Sequence, residues 1–315
     1  MAPVDVLIVG AGHNGLVAAL MLARAGLRVR LLESAAVVGG ACRTEYPFAR
    51  APEVGQSTGA YLLGLMPPEL MQELGVSFPL IRRDPHYFLP TTEDRYLLMG
   101  ADWAATEAQL EQFFSRRDVD ADRALQNELS MLRQDIAPTW LQTPVSIEET
   151  AERYVRPALR DAFVALCRGS VGAYLRRFGF QSELLEAMYA VTDGFTGLYG
   201  DWDTPGSGMN FLVHNMCRLP GSDATWMAVR GGMGTVTRVL AAAAKRAGAE
   251  IILGTAVASI ETRGSIATGV LTEEGELHRA RAVIVNADPF RMLSMLGDGC
   301  PDDLRERVGR YRRPG

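Results

Sequence analysis

The apolar and polar positions at the start of the chain predict an alternating series of strands and a helix. An apolar run over 6–9 predicts a buried parallel strand. A helix follows over 16–25 and is capped by Gly26, and a second strand is predicted over 27–32. These three elements form a complete βαβ unit, which is typical of an α/β fold with a parallel sheet.

In the middle of the chain, from about Pro67 to Cys217, the apolar residues instead recur with the period of an α-helix. Two apolar stripes at this spacing are Leu125, Leu129, Leu132 and Ile136, and Leu184, Leu185, Met188 and Val191. An apolar stripe on a helix packs against protein far more often than against a ligand. We therefore expect both stripes to lie in a hydrophobic core.

The α/β pattern returns near the C-terminal end. An alanine-rich helix is predicted from about Thr235 and ends at Gly248. Strands are predicted over 251–260, 266–272 and 277–285, and a turn at Glu274-Gly275 joins the last two. Three strands in succession predict a meander.

Composition and charge narrow the classes of function. The 315 residues are 48% hydrophobic and can build a sizeable core, divided into two domains. The net charge of −5 argues against a general nucleic-acid or anionic-membrane binder. No charged leader or membrane-length apolar run is present, so we expect a soluble, cytoplasmic protein. The apolar segment 61–71 allows two interpretations, a peripheral membrane contact or a buried element, and we favour the second.

Cysteine and histidine spacing excludes further kinds of site. Both residue types are widely dispersed: Cys42, Cys167, Cys217 and Cys300, and His13, His86, His214 and His278. No CxxC pair and no HExxH motif is present, so we expect buried, reduced thiols and no metal site.

Candidate chemistry begins at a glycine-rich turn directly after the first strand. Gly10, Gly12 and Gly15 have the GxGxxG spacing. The first glycine permits a tight turn, the second lets the backbone approach a pyrophosphate, and the third allows close packing of helix on sheet. Glu33 ends the second strand, where it can accept hydrogen bonds from a ribose hydroxyl and repel a 2′-phosphate. The turn and the acid together predict a dinucleotide site.

A second glycine element distinguishes between dinucleotides. The doublet Gly39-Gly40 is followed by Ala41, Cys42, Arg43 and Thr44. Here the sequence resembles flavoproteins of the amine oxidase and phytoene desaturase superfamily, which carry a GG-x-x-R/T element near the FAD phosphates. An NAD-only dehydrogenase normally lacks this element.

The resemblance extends along nearly the whole chain. The segments that carry it are GAGHNGL at 10–16, RRDPHYFLP at 82–90, PGSGMNFLVHNM at 205–216 and RGGMGTVTRVL at 230–240. They are similar to the branch containing carotenoid isomerase-like and phytoene dehydrogenase-related oxidoreductases. Within it, the sequence is most similar to the type named after a pyridine nucleotide-disulphide oxidoreductase domain. Because no suitable cysteine pair is present, the flavin is the only evident redox centre.

The resemblance implies an FAD cofactor and a set of residues that bind it. These are Gly10, Ala11, Gly12, His13, Asn14, Gly15, Glu33, Ser34, Gly40, Ala41, Arg43, Val257 and Asn286. In the family, Arg43 would face the phosphates and the backbone of Val257 would lie beside the adenine. Asn286 and Asp288 follow the returning strand, where the alternative to cofactor contact is a turn-forming role.

No catalytic base is evident. His214 is the most testable candidate, because it lies in a segment expected to return towards the FAD domain and can titrate near neutral pH. The alternative, a structural histidine on an apolar strand, is more common.

The implied fold is a Rossmann-like FAD-binding domain of the glutathione reductase and amine oxidase type, with an inserted helix-rich substrate domain. We predict four segments: 1–66 and 226–290 for the FAD-binding domain, the latter with the meander, 67–225 for the substrate domain, and 291–315 as the start of a C-terminal region. Family members continue well beyond this region. We therefore expect exposed apolar faces, which another copy or a partner chain would cover.

Three hypotheses about function remain open at this point. The first is an FAD-dependent oxidoreductase acting on a small, apolar substrate by desaturation or isomerisation. The second is a noncatalytic or incomplete flavin-binding protein that needs a partner or a further C-terminal part. The third is an NAD-dependent dehydrogenase that uses Glu33 for the ribose. Cofactor identity distinguishes the third from the others.

Overall fold

The chain divides into two units in a computed structural model, which describes residues 3–90, 92, 96–194, 200–264 and 266–311. The sheet unit comprises Met1–Leu62, Met71–Leu80 and Ala228–Gly315. The helical unit comprises Leu63–Leu70 and Ile81–Met227, and is inserted in the sequence of the sheet unit. The predicted α/β class with a helix-rich insertion is confirmed.

Strands occur mainly at the two ends of the chain. They are β1 (Val4–Val9), β2 (Val29–Leu32), β3 (Thr44–Glu45), β4 (Gln56–Ser57), β5 (Leu80–Ile81), β6 (Tyr87–Pro90), β7 (Tyr96–Met99), β8 (Ala228–Val229), β9 (Glu250–Ile252), β10 (Val257–Arg263), β11 (Ile266–Thr272) and β12 (Leu277–Val285). The segment predicted as one strand over 251–260 is thus two strands, because the chain leaves the sheet between Ile252 and Val257.

The α-helices occur along the whole chain, and most of them lie in its middle part. They are α1 (His13–Arg24), α2 (Pro68–Leu74), α3 (Trp103–Phe113), α4 (Arg116–Ile136), α5 (Ile147–Tyr154), α6 (Arg160–Arg168), α7 (Val171–Arg176), α8 (Glu183–Tyr189), α9 (Ser207–His214), α10 (Gly234–Arg246), α11 (Pro289–Leu296) and α12 (Asp302–Gly309).

The main sheet interleaves strands from the first and the last segment of the sheet unit, in the strand order β10-β11-β12-β1-β2-β9. Strand β1 is parallel to both neighbours, and Ile8 lies opposite Ile284 of β12 and Leu31 of β2. Strand β9 continues the parallel part, and β10, β11 and β12 form an antiparallel meander. The predicted βαβ unit and meander are confirmed.

Apolar burial explains why these segments adopt these elements. Leu7 and Ile8 of β1 are fully buried, as expected for a parallel strand covered on both faces. Helix α1 buries Leu16, Ala19, Leu20 and Ala23, a set at helical spacing, and packs against α10. The carboxyl ends of β1 and β2 are thereby held beside the start of α1.

The core of the helical unit confirms one predicted stripe and corrects the other. Leu125, Leu129, Leu132 and Ile136 are all buried on α4. In the second stripe Leu185 and Met188 are buried, but Leu184 is 41% exposed and Val191 is 53% exposed. Helix α8 ends at Tyr189 and continues as a π-helical turn over Ala190–Gly194, so the helical spacing does not persist to Val191.

Two further expectations concern thiols and the apolar segment 61–71. All four cysteines are free and buried, as predicted. The segment is not a buried element, since Tyr61 is 72% exposed and most of its other residues are half-buried. Pro68 starts α2, a position where proline costs no hydrogen bond. Within the described residues, no helix has both the length and the apolar composition needed to cross a bilayer.

Candidate functional site

The turn between β1 and α1 requires glycine at two positions. Gly10 leaves the strand with φ +101°, a conformation that side chains rarely adopt. A Cβ on Gly15, inside α1, would lie 2.3 Å from the backbone oxygen of Gly10. Absence of side chains therefore allows the helix to start directly against the end of the strand.

The second glycine element packs against the first. The amide of Gly39 donates to the carbonyl oxygen of Ala11 at 3.0 Å. Gly40 has φ +55°, and a Cβ there would lie 3.1 Å from the Cα of Gly12. The two glycine elements thus form one continuous wall of bare backbone.

Glu33 is fixed against this wall by backbone hydrogen bonds. Its Oε2 accepts from the amide of Ala11 at 2.7 Å, and its Oε1 accepts from the amide of Ala35 at 2.9 Å. The Ser34 hydroxyl lies 3.3 Å from the same Oε1. Oε2 accepts the hydrogen bond from Ala11 and has a second lone pair, so Glu33 can still accept a hydrogen bond from a ligand.

Asn286 closes the turn from the other side of β1. Its backbone amide donates to the carbonyl of Val9 at 2.8 Å, and its side-chain Nδ2 donates to the carbonyl of Gly10 at 3.3 Å. Asp288 instead caps α11, where its Oδ1 accepts from the amide of Arg291 at 2.9 Å. Asn286 therefore belongs to the glycine turn, and Asp288 has a helix-capping role.

Several of these residues line one cleft of about 690 Å³ in the sheet unit. The predicted residues that line it are Gly10, Gly12, His13, Glu33, Ser34, Gly40, Ala41, Val257 and Asn286. Four others, Ala11, Asn14, Gly15 and Arg43, are not among the described lining residues. Ala11 and Gly15 are buried in the turn, Asn14 is exposed, and the Arg43 Nε pairs with Glu45 Oε1 at 2.8 Å.

Sequence patterns missed several lining residues. They are Val9, Leu32, Thr255, Ala256, Ala258, Glu273, Ala287, Arg291, Ser294 and Met295. Asp288, which the sequence offered as either a cofactor contact or a turn former, also lines the cleft. Arg291, Ser294 and Met295 are spaced by three and four residues and therefore share one face of α11. That spacing, directly after the returning strand, was the available signal. Glu273 reaches the cleft because its amide donates to Ala256 at 2.9 Å, a pairing between two loops.

Burial affects the titratable groups beside the glycine turn. His13 Nδ1 lies 3.6 Å from the sulfur of Cys42. Burial lowers the pKa of His13 and raises the pKa of the Cys42 thiol, so both groups are neutral at pH 7. Positive potential at this end of the cleft therefore comes from the first amides of α1 rather than from His13.

His214 belongs to the helical unit and has structural contacts there. It ends α9, which corrects its predicted place on an apolar strand. Its Nδ1 lies 3.1 Å from the carbonyl oxygen of Asn210 and its ring stacks on Trp226, with centroids 5.5 Å apart. The indole Nε1 of Trp226 donates back to the His214 carbonyl at 2.9 Å. Nearby, burial raises the pKa of Asp193 to about 6, and His214 opposes this shift.

Comparison with known proteins gives one family and several relatives. The sequence pattern described as "Flavin containing amine oxidoreductase" matches residues 15–298. The mouse protein named "Pyridine nucleotide-disulfide oxidoreductase domain-containing protein 2" is 32% identical over 319 residues, which cover 90% of this chain and 53% of that protein. Hydroxyneurosporene desaturase of Cereibacter sphaeroides is 27% identical, over 96% of this chain and 60% of that protein.

Solved structures agree on the fold. Putrescine oxidase superimposes with a TM-score of 0.62 at 20% identity, and the match covers 98% of this chain and 63% of that one. The chain spans about half the length of the curated mouse relative, 53% of it. The match over 15–298 covers most of the sequence and confirms the resemblance. This chain belongs to the flavin containing amine oxidoreductase family.

Proposed function

We propose that the protein is an FAD-dependent oxidoreductase whose sheet unit binds the ADP half of FAD in the cleft. The observation that carries this proposal is the meeting of both glycine elements, Glu33 and Asn286 around one cavity. These groups come from three distant parts of the sequence. Membership in a flavin family supports a flavin as the ligand.

The residues present fit such a ligand. Gly12 is the N-cap of α1 and makes no side-chain hydrogen bond there, and the first turn contains no acidic residue. The first amides of this helix are therefore available to a pyrophosphate. A Cβ on Gly12 would lie 3.1 Å from the side-chain nitrogen of Asn286 and 3.9 Å from the Cα of Gly40. All three residues line the cleft. The wall is thus shaped for close approach of an anion to backbone.

Other residues of the cleft suit a nucleoside. Glu33 would accept hydrogen bonds from ribose hydroxyls, and its charge would repel a 2′-phosphate. The backbone at Val257 lines the cleft and would lie beside the adenine. We also propose contacts with the dinucleotide for the remaining predicted residues, which are Ala11, His13, Asn14, Ser34, Ala41 and Arg43.

Bound FAD would supply hydride or two-electron transfer, and this chain would bind, orient and shield it. We propose that the substrate is small and apolar. The relative named hydroxyneurosporene desaturase supports this proposal. We further propose a cytoplasmic protein without a nucleic-acid ligand, in which a second copy or a partner chain completes the site. No catalytic residue is assigned, and His214 stays a candidate.

The first experiment is an absorption spectrum of the purified protein, followed by denaturation and identification of the released nucleotide. Flavin bands in the folded sample and released FAD would support the proposal. Released NAD, or failure to take up added FAD, would contradict it. Bound FAD that cannot be reduced would favour the noncatalytic alternative.

A variant of Glu33 tests the site directly. Glu33→Ala should weaken FAD binding at least about tenfold, because hydrogen bonds to a charged group contribute about 1.5–3 kcal/mol. Glu274→Ala is the matched control, since Glu274 is an exposed turn residue outside the cleft lining. Equal FAD affinity in both variants would refute the assignment of Glu33.

A further inference from the structure

The charged side chains that line the cleft are mostly acidic. Glu33, Glu273 and Asp288 contribute carboxylates. Arg291 is the one Lys or Arg residue among the described residues that line the cavity. A dinucleotide carries two negative charges on its pyrophosphate. An acidic cleft that binds such a ligand needs compensating positive charge near the phosphates.

Arg291 is held at the cleft by the packing of its helix. Helix α11 packs against β10, and its Met295 is buried in a cluster that includes Val9 and Leu32. Arg291, Ser294 and Met295 all line the cleft from one face of this helix. The buried methionine therefore fixes the face from which the arginine extends.

The position of α11 relates Arg291 to the glycine turn. The helix begins at Pro289, immediately after the Asn286–Asp288 segment. Asn286 is hydrogen-bonded to Val9 and Gly10, so this segment is anchored to the turn that faces the phosphates. Arg291 lies in the first turn of α11, five residues beyond Asn286.

The guanidinium of Arg291 is available for a ligand. Within the described part of the chain it forms no hydrogen bond or ion pair, and the Asp288 carboxylate accepts from its backbone amide. Arg43 differs, because its Nε is paired with Glu45 at 2.8 Å and it does not line the cleft. Arg291 is exposed and lines the cleft, and an arginine guanidinium without a partner matches the two oxygens of a phosphate group.

We propose that Arg291 binds the pyrophosphate of the dinucleotide and sets the preference of the cleft for diphosphate-bearing ligands. This inference rests on the proposed function, since it assumes a nucleotide in the cleft. Arg291 would offset the repulsion from Glu33 and Glu273. The first amides of α1 would bind the same group, because α1 and α11 both follow the carboxyl ends of the neighbouring parallel strands β1 and β12.

The test measures affinity in the full chain, stripped of any bound nucleotide, for FAD, ADP and adenosine. Arg291→Ala should weaken FAD and ADP binding about tenfold, the loss expected for a charge-assisted hydrogen bond, and leave adenosine unchanged. Its affinity for ADP should also depend less steeply on salt. Arg291→Lys keeps the charge without the fork and should recover part of the loss.

Arg281→Ala is the matched control, because it removes the same charge from an exposed side chain on β12. That side chain is 81% exposed and lies 3.5 Å from Asp5. We expect the control to bind all three ligands like the wild type. Unfolding curves of the variants, compared with the wild type, verify that the fold is retained.

The outcomes separate this inference from the proposed function. If the wild type binds FAD and Arg291→Ala binds FAD and ADP equally well, the role of Arg291 is overturned and the proposed function stands. An equal loss of adenosine affinity would also overturn it, because the effect would not concern phosphates. If the wild type binds neither FAD nor ADP, the proposed function fails and the inference fails with it.

Discussion

Gly15→Ala places one methyl group between α1 and the end of β1. The added Cβ would lie 2.3 Å from the carbonyl oxygen of Gly10 and 2.9 Å from the Asn286 side-chain nitrogen. A normal carbon–oxygen contact is about 3.3 Å, so the helix and the turn must separate by about 1 Å. The turn cannot move freely, because the amide of Gly10 is bound to the Leu32 carbonyl at 2.8 Å.

The expected loss of stability follows from two opposing effects. Overpacking of this kind costs about 1–3 kcal/mol. Alanine is favoured over glycine in a helix by about 0.5–1 kcal/mol, which offsets part of the cost. We expect a net loss of about 1–2 kcal/mol and a decrease in Tm of about 1.5–3 °C. Thermal unfolding followed by circular dichroism, without added nucleotide, measures this change.

Two further alanine substitutions make the test specific. In Gly309→Ala, in α12, no described residue lies within 4 Å of the added Cβ, so stability should be unchanged or slightly increased. Gly12→Ala should leave stability nearly unchanged, since its close neighbour is a side-chain amide, but should abolish FAD retention because the methyl group enters the cleft. A Gly15→Ala protein as stable as the wild type would refute the argument from close packing.

The remaining predictions concern the helical unit and the thiols. Burial raises the pKa of Asp193 from 3.8 to about 6. The carboxyl group therefore ionises less readily in the folded state than in the unfolded state, and the free energy of unfolding falls as pH rises above about 4. Asp193→Asn should therefore be more stable than the wild type by about 1–3 kcal/mol at pH 7 and equal to it near pH 3, by urea unfolding at both pH values. If Asp193→Asn were more stable than the wild type by the same amount at both pH values, the ionisation of Asp193 would not be the cause. The four buried cysteines should not react with a thiol reagent at pH 8 until the protein is denatured, and burial raises the pKa of Cys167 to about 12; rapid labelling of the native protein would count against this. Leu129→Ala should cost about 2–5 kcal/mol and Leu184→Ala less than about 0.5 kcal/mol, and similar unfolding midpoints would show that the buried face of the unit is misassigned.

Local patterns predicted the elements whose neighbours lie close in sequence. The run 277–285 was predicted as a strand and is strand β12, and the glycine turn was predicted from its spacing together with the strand, helix and second strand around it. Both depend on rules that act within a few residues, namely apolar periodicity and the need for bare backbone. Val191 shows the limit of such rules, because a π-helical turn changes the spacing on which the prediction depends.

The rest of the site depends on which segments pack together. Glu273 and Arg291 reach the cleft through loop pairing and through the docking of α11, and neither has a motif. The GG-x-x-R pattern predicts a phosphate-facing role for Arg43, and the pattern alone does not show that Glu45 pairs with it. Assignments of charged side chains therefore need the long-range contacts that periodicity cannot supply.

The interleaved sheet also affects how the protein is made. Strand β1 is synthesised long before β12, yet Val4 of β1 pairs with Ala280 of β12. On the ribosome, the whole helical unit emerges before β9 and β12 are available to flank β1 and β2. The N-terminal strands must therefore wait with exposed edges while translation continues, which is the period when chaperones protect nascent chains from aggregation.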